Sequence, residues 1–143
     1  ADPEGRDGPP GTAAGLGLLA MTTRMTEVKV VRPMAARTVS SDLPLEGYEI
    51  HTGRSNGDAL DNPFCTLADG SADGVVADGG RLIGTYLHGV FASDAFRRDW
   101  LTGLRTGRAS ALHYEEQVEA ALDELADQLE EALDIEAILA LAR

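Results

Sequence analysis

The sequence is poor in cysteine, in aromatic residues and in positive charge. Its 143 residues include one cysteine, which excludes an intramolecular disulfide framework. Lys and Arg total 12 against 24 Asp and Glu, and the resulting net charge of −12 argues against a nucleic-acid partner, whose phosphates attract basic residues. No apolar run reaches the length of a membrane span, and the first residues are charged and rich in turn formers. We therefore expect no membrane partner and a cytoplasmic location.

Hydrophobic residues make up 43% of the chain, which is enough for one domain with a core. Composition divides the chain into a loop over residues 1–12, a strand-rich part over 13–92 and a helical end over 93–143. Strands followed by helices are, on the sequence alone, typical of an α+β fold. Glycines at 79 and 80 predict a hairpin turn at residues 78–80. Six strands are predicted, near residues 16–21, 28–32 with an extension towards 39, 47–52, 64–67, 74–77 and 81–87.

The end of the chain carries ten acidic residues and no Lys or Arg between residues 115 and 136. Apolar residues recur there at spacings of three and four, which predicts an amphipathic helix with one buried stripe formed by Val118, Leu122, Leu125, Leu129 and Leu133. The carboxylates then form the solvated face of the helix, and an acidic interaction surface is the alternative interpretation. Asp134 is expected to cap a final short helix.

The most informative segment is Gly84-Thr85-Tyr86-Leu87-His88-Gly89-Val90-Phe91. It brings a predicted strand to a turn with His88 at its end, and a titratable ring held beside glycine is placed for proton transfer. Ser93 is expected to cap the helix that follows, and Gly107 to lie just past the end of that helix. The predicted buried side of the helix carries four large residues, Phe96, Trp100, Leu101 and Leu104.

A second histidine motif, Gly47-Tyr48-Glu49-Ile50-His51-Thr52-Gly53, lies upstream of the segment around His88. The flanks of the two motifs are Ala1-Asp2-Pro3-Glu4-Gly5, Gly15-Leu16-Gly17-Leu18-Leu19, Asp94-Ala95-Phe96-Arg97-Arg98 and the leucine-rich acidic end. Together, in this order, these features resemble the glutamine amidotransferase domain of the cobyric acid synthase family. The resemblance implies an α/β fold, a class I glutamine amidotransferase-like sandwich with a mixed sheet, truncated at its N-terminus and ending in amphipathic helices. The chain is then the C-terminal portion of that domain.

The resemblance implies that the domain hydrolyses glutamine and passes ammonia to an N-terminal synthetase domain that is not in the chain. That domain would use ATP and magnesium to amidate carboxylates of a corrin ring in cobalamin biosynthesis. No cofactor or metal site is expected in the chain itself, because its three histidines lack ligand-spaced partners. The alternatives are cobyrinic acid a,c-diamide synthase, the enzyme that amidates a cell-wall lipid precursor, and a non-catalytic amidotransferase-like remnant.

In such a glutaminase a histidine takes the proton from a cysteine thiol, and the thiolate attacks the side-chain amide of glutamine. The resemblance assigns the histidine's role to His88; on the residues alone, a strand-end histidine satisfied by the backbone is the alternative. The family's nucleophilic cysteine lies before the segment that Ala1 begins. Cys65 lies in a short apolar strand without a glycine-flanked turn, and we interpret it as a small buried residue. The chain alone is therefore expected to be inactive.

The sequence does not identify the group that orients the ring of His88. Members of the wider class carry a glutamate two residues after the histidine, where this chain has Val90. Glu49 and His51 share one face of their predicted strand, since residues i and i+2 point the same way, and Glu49 is a candidate substitute. Glu49, His51 and Tyr86 are equally candidates for shaping the pocket or a domain contact. His113 is expected to be an ordinary surface residue.

Overall fold

The computed structural model describes residues 1–104 and 111–141. The chain divides into two compact units, Ala1–Ala109 and Ser110–Arg143. Among the described residues, the first unit contains the strands, one α-helix and three short 3-10 helices, and the second contains two α-helices. The 3-10 helices are Asp58–Asp61, Asp78–Gly80 and Val90–Ala92. Strands and helices are thus both present, as an α/β domain requires. In the described ranges, no helix is both long and apolar enough to cross a membrane.

A long antiparallel hairpin forms the centre of the larger sheet. Its strands are β1 (Thr22–Thr38), which is rich in the β-branched residues that favour strands, and β2 (Pro44–Asn56). The Thr38 hydroxyl accepts the Leu43 N–H at 2.9 Å and so stabilises the turn between them. The second and third predicted strands are confirmed, and both are longer than the sequence pattern indicated.

Five short strands complete two antiparallel sheets. The larger sheet adds β3 (Cys65–Leu67), β4 (Ala72–Asp73) and β7 (Leu87–His88), in the order β4-β3-β1-β2-β7. Strands β5 (Val75–Ala77) and β6 (Leu82–Gly84) pair separately around the turn predicted at 78–80. The fourth and fifth predicted strands are therefore confirmed to within one residue. All strand pairs among the described residues are antiparallel, so the parallel pairs of a mixed sheet are not among them.

The strand predicted near residues 16–21 is wrong. Gly17 has φ of 71°, in a region that an extended strand does not use. The Met21 N–H then bonds back to the Leu19 carbonyl at 2.9 Å, which turns the chain. The apolar residues of this segment remain largely in water, and Leu16 is 90% exposed. Strand β1 begins only at Thr22.

The single strand predicted over residues 81–87 is also wrong, because it is broken into β6 and β7, which belong to different sheets. Local side chains compete with the strand ladder at the break. The Tyr86 N–H donates to the Asp73 carboxylate at 3.2 Å, and the Leu87 N–H donates to the Thr85 hydroxyl at 2.9 Å. The chain thereby leaves the small sheet and enters the edge of the large one immediately before His88.

Helix α1 (Asp94–Leu104) covers the core on one side of the large sheet. Its Phe96 ring meets Phe64 edge to face, with centroids 5.4 Å apart. The buried side was predicted correctly for Phe96, and Trp100 is partly buried against the same core. The prediction is wrong for the next turn, where Leu101 and Leu104 are 43% and 51% exposed. The buried core consists of Met34, Ala36, Leu45, Phe64, Cys65, Leu67, Leu87 and Phe96.

The start of α1 is confirmed and its predicted end is not described. The Ser93 carbonyl accepts the Arg97 N–H at 2.9 Å, which is the first backbone bond of the helix. The Ser93 hydroxyl accepts the Glu46 N–H at 3.1 Å and so ties the helix start to β2. Gly107 lies outside the described residues.

The second unit contains α2 (Tyr114–Ala132) and α3 (Ile135–Leu141). The predicted cap is confirmed, because the Asp134 carboxylate accepts the Ala137 N–H at 2.9 Å. The predicted burial of the apolar stripe is wrong. Spacing fixes which face of a helix is apolar, but burial requires a second surface, and the short α3 does not supply one. The stripe residues Val118, Leu122, Leu125, Leu129 and Leu133 are 38–52% exposed.

Candidate active site

His88 lies at the end of β7, on the outer edge of the large sheet. Strand β7 pairs with β2 so that His88 is directly opposite Tyr48. The two rings are stacked, with centroids 5.3 Å apart and planes 4° from parallel. The residue is exposed, and among the described residues no side chain or backbone group bonds to its ring nitrogens. The sequence alone allowed a histidine whose ring nitrogens bond to the backbone. The structure does not show that arrangement, and the imidazole is therefore available for proton transfer.

The carboxylate of Glu49 belongs to a different cluster. Glu49 is only 8% exposed, and one of its oxygens accepts the Arg32 Nε–H at 2.7 Å. Its other oxygen lies 2.7 Å from His51 Nε2. The expectation that Glu49 and His51 share a face of their strand is thus confirmed. Arg32 also bonds to Asp69 at 3.0 Å, so that the ionic contacts join β1 and β2 to the loop between β3 and β4.

His51 is held between two acceptors. Its Nδ1 lies 2.8 Å from the Gly53 carbonyl oxygen, and its Nε2 faces the Glu49 carboxylate. A carbonyl and an ionised carboxylate can only accept hydrogen bonds, so both contacts are made together when both ring nitrogens carry a proton. The ring of His51 is therefore held from both sides, by the Gly53 carbonyl and by the buried Glu49 carboxylate.

Tyr86 extends this cluster. Its ring stacks on His51, with centroids 4.1 Å apart and planes 21° from parallel. Its hydroxyl lies 2.7 Å from the Ser55 hydroxyl, which lies 2.7 Å from that of Thr23. The cluster lines a cavity of about 750 Å³ whose remaining wall is largely apolar. Sequence reasoning missed Arg32, Ser55 and Thr23, which no local motif marks.

The structure therefore places the four candidate residues in two groups. Glu49, His51 and Tyr86 are brought together at the cavity, whereas His88 stands with Tyr48. Neighbouring residues of a strand point to opposite faces of the sheet, so the side chains of Tyr48 and Glu49 diverge. Glu49 contacts Arg32 and His51 and makes no bond to His88 in this arrangement.

Replacing Glu49 by glutamine should destabilise the domain in a pH-dependent manner. Burial alone would raise the pKa of Glu49, but the bonds from Arg32 and His51 outweigh it and hold that pKa below its ordinary value of 4.5. A carboxyl with a lowered folded-state pKa contributes stability above its unfolded value and loses it as the pH falls through the folded value. We expect Glu49→Gln to cost about 1–3 kcal/mol at pH 7. The cost should shrink below pH 4.5.

Chemical unfolding of the wild type and the variant across this pH range measures the difference. Asp42→Asn is the matched control, because Asp42 also pairs with an arginine and has a lowered pKa, but its side chain is 78% exposed. Exposed pairs contribute little to stability, so the control should change it far less than Glu49→Gln does. A Glu49→Gln cost that stays constant down to strongly acidic pH would contradict the assignment of Glu49 as a buried, charged group.

Cys65 is fully buried in β3, as the sequence indicated. Burial, with a smaller contribution from the nearby Asp73 carboxylate, raises the pKa of its thiol to about 12. A nucleophilic cysteine needs an accessible thiolate at neutral pH, and this residue has neither the access nor the charge. Among the residues that the structure describes, no three His, Cys, Asp or Glu side chains are arranged so that they could bind a metal ion.

The chain has clear relatives among known proteins. Residues 1–96 match the family of CobB/CobQ-like glutamine amidotransferase domains. The chain is 47% identical over all 143 residues to a cobyric acid synthase of Bradyrhizobium sp., of which it covers 29%. It is 49% identical over 141 residues, 99% of its length, to that of Hyphomonas neptunium, of which it covers 28%. The cobyric acid synthase of Rhodobacter capsulatus is 50% identical over 143 residues, with 29% covered. The chain thus spans less than a third of the length of these curated relatives.

Proposed function

Since this chain belongs to the family of CobB/CobQ-like glutamine amidotransferase domains, we propose that it is the C-terminal portion of the glutaminase of a cobyric acid synthase. In this role it helps to release ammonia from glutamine for the amidation of corrin carboxylates in cobalamin biosynthesis. The observation that carries the proposal is the exposed imidazole of His88 at a strand end, to which no group of the described residues bonds. The segment that supplies the thiol lies outside these residues, because Cys65 is buried and protonated.

His88 is the general base of the proposed reaction. Its neutral imidazole takes the proton of the cysteine thiol, and the thiolate attacks the side-chain carbonyl carbon of glutamine. The imidazolium returns the proton to the departing ammonia, which leaves a thioester between the cysteine and the glutamyl group. Water, deprotonated by the same imidazole, then breaks the thioester and releases glutamate. One glutamine and one water thus give one glutamate and one ammonia, and the cysteine and His88 return to their initial states.

The remaining parts of the proposed fold and reaction belong to other segments. The parallel strands of a class I-like sandwich would come from the segment with the nucleophile, because the described pairs are antiparallel. ATP and magnesium would act in the synthetase domain, since the described residues offer no group of three metal ligands. Glutamine is thus the substrate to which this chain contributes directly, and the corrin acid is bound elsewhere.

An acceptor assay on the complete protein tests the proposal. The protein is supplied with glutamine, magnesium and ATP, and with either a corrin acid or the amidatable cell-wall lipid precursor. We expect glutamate release. The mass of the corrin product should show that one carboxylate has become an amide for each glutamine used. Amidation of the lipid precursor alone would favour the related cell-wall enzyme. No glutamate release with any acceptor would favour the non-catalytic remnant.

A further inference from the structure

The contact between His88 and Tyr48 combines strand pairing with parallel stacking of the two rings. The two residues are directly opposite each other on β2 and β7, so both side chains leave the same face of the sheet. Their rings are parallel within 4° at a centroid distance of 5.3 Å, which is the range of attractive offset stacking. Tyr48 is 48% exposed, so the stack lies at the surface where the imidazole is accessible.

The backbone beside the stack is fitted to bring His88 close. A Cβ atom at Gly47 would lie 2.0 Å from the His88 carbonyl oxygen, so this position of β2 admits only glycine without a shift of β7. Gly89 has φ of 83° and turns the chain directly after His88. The hydrogen bond from the Glu46 N–H to the Ser93 hydroxyl holds the far side of the turn. The backbone before and after His88 is thereby fixed against β2, and the His88 ring lies against the ring of Tyr48.

Among the residues that the structure describes, no carboxylate takes the orienting position. Val90, at the place where the wider class has glutamate, is partly buried against the hydrophobic core. Glu49 is engaged by Arg32 and His51 at the cavity. Within the described part of the chain, the ring of Tyr48 is therefore the group in a position to orient the imidazole.

We propose that Tyr48 is a positioning residue for His88 and takes the part of the orienting carboxylate. This inference rests on the proposed function, in which His88 takes a thiol proton. The stack restricts rotation of the imidazole, and the electron-rich face of the phenol ring stabilises the imidazolium that the proton transfer creates. Orientation of the ring and stabilisation of its cation are the two contributions that a triad carboxylate makes.

Two substitutions of Tyr48 in the complete protein separate this role from a structural one. Tyr48→Phe keeps the stacked ring and should keep the turnover number for glutamine. Tyr48→Ile removes the ring but favours the strand and fills apolar volume, so a structural role would tolerate it. We expect Tyr48→Ile to lower kcat for glutamine hydrolysis by about three- to tenfold, with KM for glutamine unchanged. Amidation with added ammonia should be unaffected by either change.

The control is Tyr114→Ile in α2, whose tyrosine is 46% exposed and thus matches Tyr48 in exposure. It should leave kcat unchanged. Equal turnover in Tyr48→Ile and Tyr48→Phe, while His88→Ala is inactive with glutamine, would overturn this inference and leave the proposed function intact. Equal loss with glutamine and with ammonia in Tyr48→Ile would also overturn it, because the role would then be structural. Full glutamine-dependent activity in His88→Ala would overturn the proposed function itself.

Discussion

Replacing His88 by alanine in the complete protein should lower glutamine-dependent amidation by about 10²–10⁴-fold, the usual contribution of general acid–base catalysis. The thiol would lose the group that accepts its proton, and the leaving ammonia would lose its proton donor. Amidation with added ammonia should continue at the wild-type rate, because the acceptor site lies in another segment. Since His88 is exposed and its side chain is bonded to no described group, its removal should not unfold the domain.

Rates of amidation with glutamine and with ammonia, measured side by side, check this expectation. His113→Ala is the matched control, because His113 is also exposed and lies immediately before α2. It should leave both rates unchanged. A His88→Ala variant that loses both rates equally, or neither, would show that His88 is not the base of the glutaminase.

The isolated 143-residue chain should release no glutamate from glutamine. Its one thiol, Cys65, is fully buried, and burial raises the pKa of that thiol to about 12, so it stays protonated at neutral pH. His88 then has no thiol to activate. Added as a separate polypeptide, the segment that carries the nucleophile should restore glutamate release in proportion to the complex formed.

The same chain should associate with itself or bind hydrophobic dyes. Strand β1 pairs with β3 only through residues 36–38, so most of its outer edge is unpaired in the described structure. Apolar side chains are exposed along that strand and before it, and unpaired edges with apolar faces promote association. Sedimentation and glutamate release on the purified chain measure both properties. A monomer that hydrolyses glutamine in a Cys65-dependent manner would contradict the placement of the nucleophile. The most exposed of these apolar residues are Leu16, Leu18, Val28 and Val31.

The position of His88 at a strand end was predictable from sequence, but the path of the chain before it was not. Alternation of apolar residues over 81–87 is equally compatible with one strand or with two short ones. The break depends on Asp73, whose carboxylate accepts the Tyr86 N–H from 13 residues away. No local pattern reports such a contact.

At the cavity, the pairing of Glu49 with His51 was predictable from the sequence, but the contact of Glu49 with Arg32 was not. Residues i and i+2 share a strand face, which correctly joined Glu49 to His51. The third member, Arg32, reaches Glu49 because the two residues are paired in the β1–β2 register. That register also depends on an irregularity between Met25 and Val30, which the sequence pattern did not reveal.

The most direct test of the central claim, that His88 serves a thiol outside these residues, is to map the adduct of an electrophilic glutamine analogue on the complete protein. Mass spectrometry of the digested protein identifies the labelled cysteine, and the time course gives the labelling rate. We predict a label on a cysteine outside residues 1–143, at a rate that Cys65→Ala leaves unchanged and His88→Ala lowers by about tenfold or more. A label on Cys65, or a rate that does not depend on His88, would contradict the account.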